Sequence, residues 1–255
     1  MQLRILGCSG GIAAGHRTTS FLVDDDVLID AGSGVGDLTL REMERIKHIV
    51  LTHSHLDHVH AIPLLLDSMF DRADEPITVH ALPETISALR EHMFNWVVWP
   101  DFTSLPHPDS PVLRYVPMKP DEEVVLEGRR FRMVPVNHVV PTVGYIVTAR
   151  DGGVFAFSGD TTSNNTLWKA LNGLERLDLL IVECAFSNAR QELCRQARHY
   201  CPNILAEDLI KLNHRPAVYL SHAKPGEERQ IMDECRAVIS DRKLEQLLGG
   251  EIFTL

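Results

Sequence analysis

His53-Ser54-His55-Leu56-Asp57-His58 places four side chains able to ligate a metal within six residues, directly after the apolar stretch His48-Ile49-Val50-Leu51-Thr52. A strand ending there would hand its side chains to a loop. Residues i and i+2 share a face only while the chain stays extended, so His53 and His55 would leave the strand side by side. Asp57 and His58 would then turn toward a neighbouring point, and one short loop would serve two adjacent ions. Imidazole with carboxylate suits zinc, and also iron or manganese, whereas Mg²⁺ and Ca²⁺ prefer oxygen ligands alone. A solvated, metal-free histidine loop is the alternative, and it gives no reason for this order of residue types.

Two ions need further ligands, and three strand-like runs end on suitable side chains. His138 follows Phe131-Arg132-Met133-Val134-Pro135-Val136-Asn137, Asp160 follows Val154-Phe155-Ala156-Phe157-Ser158-Gly159, and His222 follows Ala217-Val218-Tyr219-Leu220-Ser221. A single strand-end histidine is usually structural; three such positions beside the first motif make a ligand set.

The remaining composition limits the surroundings of that set. With 255 residues, 44% of them hydrophobic, the chain suffices for a sizeable core, and without a linker or repeat it reads as one domain, 1–255. The strand-like opening Gln2-Leu3-Arg4-Ile5-Leu6 does not resemble an export signal, and no apolar run approaches membrane-spanning length, which predicts a soluble, cytoplasmic protein. Cys8, Cys184, Cys194, Cys201 and Cys235 are odd in number, scattered and without a CxxC pair, so reduced thiols are expected. A formal net charge of -10 with no basic stripe disfavours nucleic acid. Small anionic substrates stay allowed, because bound metal reverses the local field.

Strands are expected at 2–6, 20–23, 27–30 and 48–51, with Asp24-Asp25-Asp26 as a hairpin turn, and later at 112–116, 123–126, 130–136, 144–148, 153–157, 178–182 and 217–220. Helical spacing appears at 35–45, 60–70 and 83–94, the last starting at Pro83, and near 164–172, 189–197, 203–213 and 226–239. Such an order predicts an α/β (α+β) protein of two sheets packed face to face with helices outside.

The order HxHxDH, His, Asp, His resembles the metallo-β-lactamase superfamily over nearly the whole chain. The resemblance implies a four-layer αβ/βα sandwich of two mixed sheets. It also implies that His53, His55 and His138 hold one divalent ion, that Asp57, His58 and His222 hold the second, and that Asp160 bridges them. Zinc is the expected metal, with iron or manganese as alternatives. Asp30, in Leu28-Ile29-Asp30-Ala31-Gly32, matches a motif whose aspartate buttresses the metal loop. Two ions about 3.5–4 Å apart share a hydroxide, giving a nucleophile at neutral pH and hence a hydrolase. Diiron relatives that reduce oxygen have an acidic residue in place of a motif histidine and an added flavin domain, and neither feature is present.

Within that superfamily, Leu6-Gly7-Cys8-Ser9-Gly10-Gly11, the metal loop with Val59, Phe94-Asn95-Trp96-Val97-Val98-Trp99-Pro100, Ser158-Gly159-Asp160 and His222-Ala223-Lys224-Pro225 resemble class II cyclic-nucleotide phosphodiesterases. His60-Ala61 and Asp67 depart from that class, which has small residues there. Val182-Glu183-Cys184-Ala185-Phe186, followed by His199, resembles the glutamate and downstream histidine of phosphodiesterase branches that include tRNase Z. Glu183 would orient and charge His199, which would donate a hydrogen bond or proton to the departing oxygen, with Asp57 at the reacting centre. The alternative makes both residues structural. The expected reaction converts a 3′,5′-cyclic nucleotide to a 5′-monophosphate through attack by the bridging hydroxide. A tRNase Z-like nuclease and a lactone, thioester or β-lactam hydrolase are the rivals. Trp96, Trp99 and Phe102 either wall a base pocket or pack, within the chain or across a homodimer contact. Two literal matches are set aside: Gly7-Cys8-Ser9-Gly10-Gly11 fits a nucleophile elbow but lacks a helix start after it, and Gly32-Ser33-Gly34-Val35-Gly36 lacks full dinucleotide-binding spacing.

Overall fold

Period-two alternation in the middle of the chain shows how the layers form. In the strand Val154–Phe157, Phe155 and Phe157 point one way and Val154 and Ala156 the other, yet all four are buried. In Leu179–Glu183, Leu179 and Ile181 share the first direction and Leu180 and Val182 the second. A strand apolar on both faces needs cover on both sides. A second sheet provides it on one side and helices on the other.

The computed structural model describes residues 1–72 and 75–255. The first sheet contains β1 (Gln2–Gly7), β2 (Ser20–Val23), β3 (Val27–Ile29), β4 (His48–Val50) and β5 (Ile77–Ala81). After a short ribbon, β6 (Pro106–His107) with β7 (Ser110–Pro111), it is extended by β8 (Leu113–Pro117). The second sheet contains β9 (Glu123–Leu126), β10 (Arg129–Pro135), β11 (Val143–Thr148), β12 (Val154–Phe157), β13 (Leu179–Glu183), β14 (Ala217–Ser221) and β15 (Leu244–Gln246), and β16 (Ile252–Thr254) returns to the first. The strand orders are β16-β1-β2-β3-β4-β5-β8 and β15-β14-β13-β12-β11-β10-β9. Each sheet is antiparallel on one side and parallel on the other, changing at β3 in the first and at β12 in the second.

Between the sheets, Leu3, Ile5, Phe21, Val27, Ile29 and Val50 meet Phe131, Met133, Tyr145, Phe155, Phe157 and Ile181. Burying each such side chain contributes about 1.5–3 kcal/mol. After two one-turn helices, α1 (Leu40–Met43) and α2 (Leu56–Val59), the first sheet's outer face is covered by α3 (Ala61–Ser68) and α4 (Pro83–His92), through Ile62, Leu65, Leu66, Ile86 and Leu89. The second sheet is covered by α5 (Thr166–Asn172) and, after the short α6 (Gln191–Ala197), by α7 (Pro202–Leu209) and α8 (Glu228–Val238), through Trp168, Leu171, Leu205, Leu209, Ile231 and Met232. The expected four layers are present. Among the described residues no helix is long and apolar enough to cross a membrane.

Several expectations need correction. The helix expected at 35–45 is divided into a 3₁₀ turn, Ser33–Asp37, and a one-turn helix, Leu40–Met43, because Thr39 and Glu42 form a reciprocal capping box that begins a new helix. Strands β5, β6, β7, β15 and β16 were not expected: β5 interleaves Thr78 and His80 with its apolar residues, β6 and β7 have two residues each, and β15 and β16 three each. The helix expected at 60–70 is preceded by a turn within the metal motif itself, Leu56–Val59.

Since β10 and β12 both run antiparallel to β11, while β13 and β14 run parallel to β12, the C-terminal ends of these four strands share one edge. His138, Asp160, Glu183 and His222 lie at that edge, at or just beyond the strand ends. Opposite them are the ends of β3 and β4, which lead into Asp30 and the metal motif.

Candidate metal centre

The metal motif begins extended and then turns. His55 is the residue before Leu56–Val59, with φ -62 and ψ 146, so His53 and His55 leave the strand together while Asp57 and His58 sit in the helical turn. His53 and His55, with ring centroids 4.6 Å apart, meet His138, whose Nε2 lies 3.3 Å from His55 Nδ1. His53, His55, His138 and Asp160 form one group of converging ligand atoms, and Asp57, His58 and His222 form another. Asp160 Oδ2 stands 3.7 Å from His53 Nε2 and 3.4 Å from His58 Nε2, and its Oδ1 is 3.2 Å from His222 Nδ1. All seven expected ligands are therefore brought together, with Asp160 between the two groups, and Asp160 and His222 also converge with His199.

The outward nitrogens are tied down. His58 Nδ1 donates to Asp30 Oδ2 at 2.7 Å, and Thr52 donates to the same carboxylate from its hydroxyl and its backbone N–H, both at 2.8 Å. Having donated its proton, the Thr52 hydroxyl accepts from His53 Nδ1 at 2.9 Å. Asp30 thus orients one histidine of each group, one directly and one through Thr52. His138 Nδ1 donates to the Arg198 carbonyl at 3.0 Å, and the Arg198 guanidinium donates to the His138 carbonyl at 2.8 Å. Asp30 and His222 both have positive φ, 56° and 62°, a conformation held by the surrounding contacts. Gly10 is one such contact, since a Cβ there would lie 2.3 Å from the His222 carbonyl oxygen.

This arrangement fits divalent metal. His53 Nε2, His58 Nε2, Asp160 Oδ1 and His222 Nδ1 are buried without a hydrogen-bond partner. Each buried, unsatisfied polar atom costs about 1–3 kcal/mol, so four at one spot require a common partner. Burial holds His53 and His222 well below the usual histidine range and brings His138 to about 4, leaving lone pairs free to ligate. Against its own burial, His58 is pushed well above that range by Asp160 and Asp30, which marks a negative pocket suited to a cation.

Beside the two groups, Glu183 Oε1 accepts from His199 Nδ1 at 2.7 Å and from the Thr161 N–H at 2.8 Å, while Oε2 accepts from the Tyr200 N–H at 3.1 Å. Burial raises Glu183 and His199 opposes it; the same carboxylate raises His199 against that ring's burial. The His199 ring lies 4.9 Å from His138 and 5.2 Å from His222, so the pair faces both groups. Three of the residues at the centre were missed in the sequence. Thr52 carries a signal in hindsight, lying between the strand and the motif; Arg198 and Thr161 carry none.

The aromatic segment divides. Phe102 is buried, with its ring 5.6 Å from Phe70 and 6.3 Å from Phe94, and Trp99 packs against the same cluster. Trp96 is 63% exposed. Phe102 and Trp99 are packing residues, which leaves Trp96 alone of the three free to face a ligand.

A two-sheet αβ/βα sandwich that gathers histidines and aspartates at its strand ends defines a hydrolase of the metallo-β-lactamase fold, and that fold implies divalent metal ions. The chain belongs to this family: residues 26–236 match the beta-lactamase superfamily domain. It is 25% identical to a probable 3′,5′-cyclic-nucleotide phosphodiesterase of Yersinia pestis, over 98% of this chain and 85% of that protein. It is 23% identical to a ribonuclease Z of Latilactobacillus sakei, over 96% and 95%. Among solved structures, unliganded yeast PDE1 superposes with a TM-score of 0.84 at 20% identity, covering 100% of this chain and 99% of that one.

Proposed function

We propose that the protein is a dinuclear metal-dependent phosphodiesterase that opens 3′,5′-cyclic nucleotides to 5′-monophosphates. His53, His55, His138 and Asp160 would hold one divalent ion, and Asp57, His58, His222 and Asp160 the second, zinc being the metal that best suits this donor set. Bound there, such ions would lower the pKa of water toward neutrality and would supply positive charge for the phosphoryl oxygens.

The observation that carries the reading is the Glu183–His199 pair, facing both ligand groups. A sugar oxygen is a poor leaving group and needs a proton as its bond to phosphorus breaks. His199 is built to give one: Nδ1 is bound by Glu183, so Nε2 is the nitrogen left for substrate. The relatives named as cyclic-nucleotide phosphodiesterases support the same reading.

The test is H199A. Metal content should remain at the wild-type value while turnover of cyclic AMP falls by about 10²–10⁴-fold, the usual contribution of a positioned general acid. Unchanged turnover would remove His199 from the mechanism, and activity on a lactone or thioester with none on phosphodiesters would remove the reading altogether. A tRNA-processing nuclease is the second reading, favoured by the ribonuclease Z relatives and opposed by the net charge of -10. RNA affinity falling steeply with added salt would support it.

A further inference from the structure

Helix α7 buries Leu205 and Leu209 against the second sheet, and between them it also buries an acid, Asp208, only 2% exposed. If packing alone mattered, an apolar residue of similar volume would serve as well or better. Instead the carboxylate is saturated. Oδ1 accepts from Ser163 Oγ at 2.7 Å and Lys211 Nζ at 2.6 Å. Oδ2 accepts from the Asn164 N–H at 3.0 Å, Trp168 Nε1 at 3.0 Å and the Tyr200 hydroxyl at 2.6 Å. Burial alone would raise this acid, and these donors hold it below the ordinary carboxylate range.

Three of its five partners belong to two loops, while Trp168 lies on α5 and Lys211 just after α7. Ser163 and Asn164 follow Asp160 in the chain, and Tyr200 follows His199. Glu183 holds the same two loops from the other side, accepting from the Thr161 N–H and from the Tyr200 N–H. Tyr200 is therefore fixed at both ends, its backbone by Glu183 and its hydroxyl by Asp208. The Asp160 loop is also tied to the His138 loop, by Asn137 N–H to Thr161 Oγ1 at 3.1 Å and Thr162 N–H to the Asn137 carbonyl at 2.8 Å. Asp208 touches neither His199 nor any expected metal ligand.

We propose that Asp208 is a positioning residue that, through Tyr200 and the Ser163–Asn164 segment, sets His199 and Asp160 in register with each other. Two carboxylates on opposite sides clamp the loop pair, which a single contact would leave free to pivot. The catalytic consequence rests on the phosphodiesterase reading above; the positional one does not. A displacement of about 1 Å at a reacting group is enough to lose roughly 10²-fold in rate.

Y200F removes one hydroxyl and keeps the buried ring, leaving Asp208 four donors; D208N removes the charge. The first measurement is NMR of metal-loaded protein, following the downfield Nδ1 proton that His199 shares with Glu183, assigned by its loss in H199A. Positioning predicts faster exchange of this proton with water, or a shifted resonance, in both variants, at unchanged metal stoichiometry. An identical resonance and exchange rate in Y200F and D208N would overturn the proposal. The second compares cyclic AMP with bis(p-nitrophenyl) phosphate, whose leaving group needs no proton. Y200F should lose about tenfold or more in kcat on cyclic AMP, with KM and the p-nitrophenyl ester rate little changed, as H199A does more strongly. If H199A shows no such selectivity, His199 is not the proton donor and the NMR result alone decides the clamp; if neither phosphodiester is cleaved while a lactone or thioester is, the phosphodiesterase reading itself fails. If H199A shows it and Y200F and D208N do not, the clamp is refuted. A merely structural Asp208 would lower Tm and leave the ratio of the two rates where it was.

Discussion

Replacing Asp30 with Asn should weaken both metal positions unequally. The side chain is wholly buried, it sits at φ 56°, where Asn is one of the few tolerated residues, and its size is unchanged, so the backbone keeps its path. What changes is the hydrogen bonding. The carboxylate receives three donors, His58 Nδ1–H at 2.7 Å and Thr52 twice at 2.8 Å, and an amide NH₂ in place of one oxygen turns its face against at least one of them. Loss of such an outer partner costs about 10- to 100-fold in metal affinity. That factor corresponds to about 1.4–2.8 kcal/mol. The position formed by Asp57, His58 and His222 should take most of it, because His58 is held directly. The position containing His53 should take less, because Thr52 stands between. The assay is competition with a graded chelator series, reading metal per chain by elemental analysis. D30N should release one ion at lower chelator than wild type and the second only slightly earlier. Release of both ions at wild-type chelator concentrations, in a protein of unchanged Tm, would refute the argument that Asp30 orients these rings.

Two further outcomes follow from the same geometry. Gly10→Ala brings a Cβ to 2.3 Å from the His222 carbonyl and 3.0 Å from its Cδ2, so His222 must move; chelator competition should show a weakened second ion, and unchanged retention would contradict the close approach. Glu42 is pulled down to about 2 by the Thr39 hydroxyl and backbone N–H and by Arg4, against 4.5 in the unfolded chain. The unfolded state therefore takes up the proton first as pH falls, and this contribution is present above 4.5 and lost toward 2. The Tm advantage of wild type over E42Q should shrink between about pH 5 and about pH 3, and a constant difference would contradict it.

How much of this was legible depended on how local each signal was. His53, His55, Asp57 and His58 announce themselves because one loop carries them, and His138, Asp160 and His222 because each closes an apolar run. The layers were legible from the order of strands and helices, and strands such as Val154–Phe157, apolar on both faces, show why that order needs cover on both sides. The helix boundary at Thr39 was missed because a capping box outweighed the apolar periodicity that continued across it. Strand β5 carries an alternating pattern, Ile77-Thr78-Val79-His80-Ala81, that went unused, and its parallel partners on both sides fix it as a strand. Asp208 was invisible for a deeper reason. Trp168, 40 residues away, and Ser163, 45 away, meet it only when α7 docks, and nothing in the neighbouring sequence distinguishes it from a surface acid. Phe102, which the sequence left open between a pocket wall and packing, packs inward.

The most direct test of the central claim is a crystal structure of zinc-reconstituted protein with anomalous diffraction at the zinc edge, joined to elemental analysis of the same sample. The account predicts two metal ions per chain, one among His53, His55 and His138, the other among Asp57, His58 and His222, with Asp160 reaching both. A single ion, or two ions bound away from these side chains, would contradict it.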